Sequence, residues 1–194
     1  LLQSGHLRLD ELITVRQGEL ALQPLSKAPE PVTGEFLKLK GKNGSWCCAF
    51  YDEAAVGCSR YGHRPMACGL LDCTDTAPIL AIAGQDLLTR FDCIASDDAM
   101  LPHVREYEKL CSCPDLQTLS NQLTQGELLS DQLAELQAAV IHDLNFRGRI
   151  AVEFDLTVDF ELFYFGRPLF QLLAPLGLQA INTPSGIHLV QAAG

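Results

Sequence analysis

The sequence has 194 residues but only two methionines, one tryptophan and no Cys-x-x-Cys pair, and its 14 Lys and Arg are outnumbered by 24 Asp and Glu. A net charge of −10 repels a phosphate backbone, so nucleic acid is not expected as a partner. No apolar run approaches the ~18 residues that cross a bilayer, which excludes an integral membrane protein built on helices. The motifs G-x-S-x-G, H-E-x-x-H, G-x-x-x-x-G-K-[ST] and G-x-G-x-x-G are all missing, and with them the commonest nucleophile, zinc-peptidase and phosphate-cradle signatures. Lacking Cys-x-x-Cys, the chain also lacks the usual knuckle of zinc fingers. There are no internal repeats, low-complexity tracts or charge blocks. The chain opens on Leu1 without a charged-then-apolar leader, and the natural N-terminus is expected upstream of it.

What is present is a globular composition with 47% hydrophobic and 20% charged residues, long enough to bury a core without cross-links. Residues 1–194 are read as a single domain, truncated at its N-terminus, with 148–194 as a possible C-terminal αβ extension. The unusual feature is eight cysteines, at 47, 48, 58, 68, 73, 93, 111 and 113, five of them between 47 and 73. At about 4% of the chain they fall below the ~8–10% typical of disulfide scaffolds. Adjacent Cys47 and Cys48 are poorly placed to bridge each other, because a vicinal disulfide is strained. A thiolate metal site in a reducing compartment fits this usage better than disulfides or plain buried thiols.

The pattern along the chain predicts an α+β fold: small sheets or hairpins and several short helices around a cysteine-rich loop region. Leu9, Leu12, Ile13 and Arg16 sit at helical spacing, so 7–17 reads as a helix. Glu19–Gln23 alternates like a short strand, and the prolines of 24–34 mark a loop. Phe36–Lys40 and Trp46–Tyr51 read as a hairpin around Gly41–Gly44 that carries Cys48; side chains alternate along a strand, so only one of Cys47 and Cys48 should face a metal. Arg64-Pro65 opens a short helix with Cys68 one turn in and Cys73 just past its end. Residues 77–83 are ambiguous between strand and helix, and 86–91 reads as helix. A further helix runs through Val104, Tyr107 and Leu110 and ends before Pro114. Thr124–Glu127 matches a capping box ahead of an apolar face at Leu129, Leu133, Leu136, Val140 and Leu144. After Gly148 the pattern changes: 150–154 alternates but also allows helix, and 161–165 is strand-like. Leu169–Leu173 reads as a short helix and 178–190 as a terminal hairpin.

Other candidates have plainer readings beside the chemical ones. Asp97 and Asp98 form a carboxylate pair or, beside Ser96, a helix start. Phe165-Gly-Arg-Pro168 is an anion-holding turn or a structural one. Cys93 reads as a small buried hydrophobe, and Cys111-Ser-Cys113 as a chelating pair at a helix end or as plain thiols.

Cys48-Ala-Phe50, a short loop, then Cys58-Ser-Arg-Tyr61-Gly-His-Arg64-Pro65-Met-Ala-Cys68 resembles the zinc- or iron-chelating cysteine-cluster proteins of the YkgJ type, whose later half carries C-x-F and C-x-x-Y-x-x-R-P-x-x-C. Leu71–Thr76 resembles an extension found in a subgroup. The resemblance covers roughly residues 46–76. It implies that Cys48, Cys58 and Cys68 are metal ligands in a bacterial-type cytoplasmic protein, and that the family's first cluster, of the CxxCxxCC kind, lies upstream of Leu1. Cys47 is outside the family pattern. Cys73, five residues after Cys68, is added by proximity as the fourth sulfur. Several converging thiolates select zinc or iron, including an iron–sulfur cluster, over magnesium or calcium, and a helix N-terminus favours the Cys68 thiolate. Arg64 either offsets the charge of such a site or pairs with an acidic neighbour. Tyr61 and Pro65 shape the turn, and His63 reads as structural or solvated, with a ligand role as the alternative. The expected function is thiolate metal binding. One rival is a metal-dependent or iron–sulfur enzyme that modifies a protein or small molecule; flagellin lysine methylases carry a similar cluster. The other is an interaction module braced by the metal.

Overall fold

A computed structural model describes residues 1–23, 26–42, 45, 47–72 and 74–192. Among them the chain is α+β, with seven α-helices and four two-stranded antiparallel sheets. The expectations placed on Pro24, Asn43, Gly44, Trp46 and Cys73 lie outside the described residues.

The strands come first. β1 (Leu12–Val15) pairs with β4 (Phe36–Leu39), Leu12 opposite Leu39 and Val15 opposite Phe36. β2 (Leu20–Leu22) pairs with β3 (Pro29–Pro31). Thus 7–17 is not a helix: after a 3-10 turn at Leu9–Glu11, Ile13, Thr14 and Val15 are β-branched and extend as a largely buried strand. The predicted loop at 24–34 contains β3, where proline is tolerated because a two-stranded sheet leaves one side of each strand free of ladder bonds. The predicted hairpin at 36–51 also differs. The first strand takes β1 as its partner, and its return shrinks to one bridge between Gly41 and Cys48. Gly41 is needed there, because a Cβ would collide with the Ser45 carbonyl. β5 (Tyr51–Asp52) pairs instead with β6 (Gly57–Cys58).

Two short helices follow, α1 (Met66–Leu70) and α2 (Ala77–Ile82). Residues 86–91 are not helical; they hold only the start of a 3-10 turn at Arg90–Asp92, closed by Asp92 accepting from the Thr89 amide and hydroxyl. α3 (Leu101–Leu110) carries Val104 and Tyr107 inward. α4 (Leu116–Gln125), which the pattern did not reveal, is capped by Asp115 accepting from Thr118 N at 2.9 Å. It ends at Gly126 in the left-handed region. Thr124–Glu127 is therefore the end of α4, not a capping box.

α5 (Ser130–Phe154) runs 25 residues straight through Gly148. One interior glycine costs about 1 kcal/mol relative to alanine, which burial of Phe146, Arg147 and Ile150 around it offsets. α6 (Val158–Phe165) replaces the predicted strand at 161–165. Phe163, Tyr164 and Phe165 are consecutive and all buried, and a helix wrapped by core on most sides needs no polar alternation. α7 (Leu169–Leu173) is the expected short helix, and β7 (Leu178–Thr183) with β8 (Gly186–Gln191) is the expected terminal hairpin. Among the described residues no helix is long and apolar enough to cross a membrane.

Two apolar clusters form the core. One gathers Leu12, Val104, Tyr107, Phe146, Ile150 and Phe163–Phe165; the other gathers Leu116, Leu119, Val140, Leu172, Leu173 and Leu178. α5 feeds both. Among these contributions stand Asp143 and Arg147, one helical turn apart and both buried. Arg147 donates to the Phe165, Gly166 and Arg167 carbonyls, the free carbonyls where α6 ends. Asp143 accepts from Leu169 N at 2.8 Å, the first amide of α7. Tyr107 donates its hydroxyl to Asp143. Asp143→Ala removes all three contacts and leaves the Arg147 guanidinium buried without its carboxylate. It should lower stability by about 3–5 kcal/mol, read from the urea midpoint; a change below 1 kcal/mol would contradict this account of the turn.

Candidate metal centre

The cysteine-rich segment is built with little apolar support. Phe50 is buried and fixes its start. From residue 51 to residue 89 not one described residue is buried; Val56, Tyr61, Met66 and Leu71 are all exposed. Short polar contacts hold this stretch. Ser59 N donates to Phe50 O at 2.8 Å, Asp52 accepts from the amides of Ala54 and Ala55, and Arg60 reaches Glu11 at 3.7 Å.

Within that frame Cys48 lies at the bridge to Gly41, Cys58 lies opposite Tyr51 in β6, and Cys68 is the third residue of α1. The seven described cysteines are free thiols. Phe50 N donates to Cys48 Sγ at 3.4 Å. Burial pushes the Cys68 thiol up, and charge on Cys48 and Cys58 pushes it further, while Arg64 pulls it down. Cys68 is therefore within electrostatic reach of both Cys48 and Cys58. The net direction is opposite to that expected from a helix N-terminus. α1 has only five residues, too few for a strong dipole, and burial with two like charges outweighs it.

The fit to a metal divides in two. The donors are soft and free, as zinc or iron requires. In position, among the described residues, no three or more His, Cys, Asp or Glu stand close enough together to hold a metal ion. Cys73 is not described, and Cys47 is exposed. Arg64 stacks over the Tyr61 ring at 4.0 Å while its charge acts on Cys68. His63 stacks face to face on His6, ring centroids 3.6 Å apart, a pairing across 57 residues that no local pattern signals.

Of the other candidates, Cys111 and Cys113 are free thiols packed against the first and second core clusters respectively, and the rest have structural partners. Asp98 accepts from Met100 N at 2.8 Å just before α3. The Phe165–Pro168 turn does hold an anion, but it is the chain's own: Arg167 binds the buried Glu19 carboxylate at 2.7 Å. Gly166 is required there, with φ of 69° and room for no Cβ against the Thr14 carbonyl. Cys93 packs half-buried against the first core cluster. Sequence reasoning missed the buried ionic network of Arg16, Glu19, Arg90, Asp143 and Arg147. Its one legible trace was Asp143 and Arg147 four residues apart on the apolar side of α5.

Protein-family models, curated proteins and solved structures were each compared with the chain, and none matches it.

The charge coupling is measurable. In Cys48→Ser/Cys58→Ser the Cys68 thiol loses two like-charged neighbours, so the pH midpoint of its alkylation should fall. In Arg64→Gln it should rise. Peptide mass spectrometry after pulsed iodoacetamide reads both, and an unmoved midpoint in both variants would mean the sulfurs do not sense one another.

Proposed function

We propose that the chain is a thiolate metal-binding protein that takes zinc or iron through Cys48, Cys58 and Cys68, with Cys73 as the fourth sulfur. The observation that carries this reading is that residues 51–89 have no buried residue among those described, yet they and the adjoining Cys48 contain three free thiols, with Cys68 within electrostatic reach of the other two. Such a segment cannot be held by hydrophobic burial, and small units of this kind are commonly held by metal. The resemblance of 46–76 to the YkgJ-type cysteine-cluster proteins supports the same three ligands.

A metal–sulfur distance of ~2.3 Å requires sulfurs within roughly 4 Å of one another. The bridge, β6 and α1 must therefore close on the ion. Closure breaks no apolar core, so the binding free energy goes into ordering the segment rather than opposing packing. Arg64 lies close enough to offset part of the thiolate charge. Bound zinc would brace this segment, and a bound iron–sulfur cluster would add electron transfer. Free thiols fit a reducing, cytoplasmic setting.

Elemental analysis and an optical spectrum of anaerobically purified protein test the reading. About one equivalent of zinc without colour, one equivalent of iron with thiolate charge-transfer bands, or two to four equivalents of iron with matching sulfide for a cluster, is expected. Cys68→Ser should lose most of it and Cys93→Ser none. Metal-free wild type after zinc and iron reconstitution, or full occupancy in Cys48→Ser/Cys58→Ser/Cys68→Ser, would refute it.

A further inference from the structure

A two-stranded sheet leaves an outer edge on each strand, and an open edge is a template for pairing with another chain. Among the described residues most of these edges are short or guarded. β5 and β6 are two residues long and β2 and β3 three, with Pro29 and Pro31 in β3. β1 packs against α6, and β4 meets the following stretch, where Leu37 N donates to Leu88 O at 2.8 Å. β8 is guarded by α5, whose Gln137 Oε1 accepts from Leu189 N at 3.0 Å.

β7 differs. It has six residues, and Gln179, Ile181 and Asn182 are exposed. Antiparallel alternation decides which of its groups face outward. Ala192 N donates to Gly177 O at 2.7 Å, so in the observed register Gln179, Ile181 and Thr183 bond to Val190, His188 and Gly186. The N–H and C=O of Ala180 and Asn182 therefore point away from β8, and no partner among the described residues meets them. Edges are ordinarily protected by a charged side chain, a proline or a bulge; β7 contains none of these, and its register is unbroken. Residues 168–194 hold no Asp, Glu, Lys or Arg, so the whole net charge of −10 resides in residues 1–167.

We propose that β7 is a dimer seam, at which two copies of this chain join edge to edge about a two-fold axis at Ile181 and form one antiparallel sheet in the order β8–β7–β7–β8. In this register Ala180 lies opposite the partner's Asn182, and each outward N–H finds a carbonyl. Ile181, 43% exposed, meets the partner's Ile181 at a non-hydrogen-bonded position, where side chains approach most closely. Charge selects a second copy as the occupant. Elsewhere two copies meet as acidic surfaces and repel one another; along this hairpin neither brings a charge. The assembly also closes at two, because it uses both β7 edges and leaves outside only the β8 edges that Gln137 guards. A seam this short makes a weak interface, so the dimer depends on concentration.

The test is sedimentation of the full chain from about 5 to about 500 µM, with reductant and chelator present so that neither disulfides nor metal join copies. The average mass should rise from monomer toward dimer and no further. Raising sodium chloride from about 50 to about 500 mM should tighten the dimer several-fold, because it screens the acidic remainder and weakens no ion pair at the seam. Ile181→Lys sets like charges face to face, and Asn182→Pro removes an N–H that β8 does not use; each should weaken the dimer at least about tenfold. In the wild type the Ala180 and Asn182 amides should exchange more slowly as concentration rises, while those of Gln179 and Ile181, bonded to β8, stay protected throughout and report whether the hairpin survives in each variant. Should either substitution open the hairpin, the wild-type exchange decides. A monomer at the highest concentration, assembly beyond the dimer, a dimer weakened by salt, a dimer undiminished in a variant with its hairpin intact, or Ala180 and Asn182 exchange that ignores concentration would each overturn the proposal.

Discussion

One carboxylate and one guanidinium, Asp143 and Arg147, join the helical part of this protein. The two ends of the α6–α7 turn carry opposite partial charges: free carbonyls where α6 stops and free amides where α7 starts. An i,i+4 pair on α5 meets both, guanidinium to carbonyls and carboxylate to amide. Tyr107 draws α3 into the same contact. Arg16 extends it to β1 through the Tyr107 hydroxyl and Glu108, and Arg90 extends it to Glu35 at 2.9 Å. A buried ion pair alone contributes little net stability, since desolvation offsets attraction. Here each charge is also spent on backbone groups that would otherwise be buried without partners, so the network specifies where α6 and α7 lie.

The contrast with residues 51–89 follows from the same physics. In the helical part, apolar burial on either side of the network lowers the local dielectric and strengthens each polar contact. Between 51 and 89 no described residue is buried, and the contacts are surface turns, the short β5–β6 pairing, the Arg60–Glu11 ion pair, the His6–His63 stack and the cation–π contacts of Arg60 and Arg64. Of the thiols there and at its edge, Cys48 and Cys68 are exposed and Cys58 half-buried; those of Cys111 and Cys113, beside the network, are half-buried and pushed up by burial to about 11. One chain thus carries cysteines in two chemical environments, which differ in burial and neighbouring charge rather than in sequence spacing.

The α+β class, β2, β4, α1, α7 and the final hairpin were legible because each is set locally, by alternation, by proline or by glycine. The errors arose where tertiary partners overrode local pattern. Leu12–Val15 shows helical spacing and β-branched composition together, and pairing with Phe36–Leu39 decided for strand. Phe163-Tyr164-Phe165 has strand propensity, but burial in the first cluster suits helix equally well. Gly148 reads as a break only when the burial around it is unknown. Of the candidate site, the cysteine positions were readable and their mutual electrostatic reach was not, since that depends on the β5–β6 pairing and on where α1 sits. The ionic network left almost no mark, because charged residues scattered from 16 to 167 become neighbours only through folding.

If the proposed metal site is right, the helical body stands on its own network and cores, whereas residues 51–89 take their order from a metal held by Cys48, Cys58 and Cys68. Amide hydrogen exchange of the metal-free and zinc-loaded chain tests this directly. The account predicts fast exchange across 51–89 without metal, slowed at least tenfold by zinc, and protection in α5, α6 and β7–β8 that zinc leaves unchanged. Slow exchange across 51–89 in the metal-free chain, or a zinc effect spread evenly through α5 and the terminal hairpin, would contradict it.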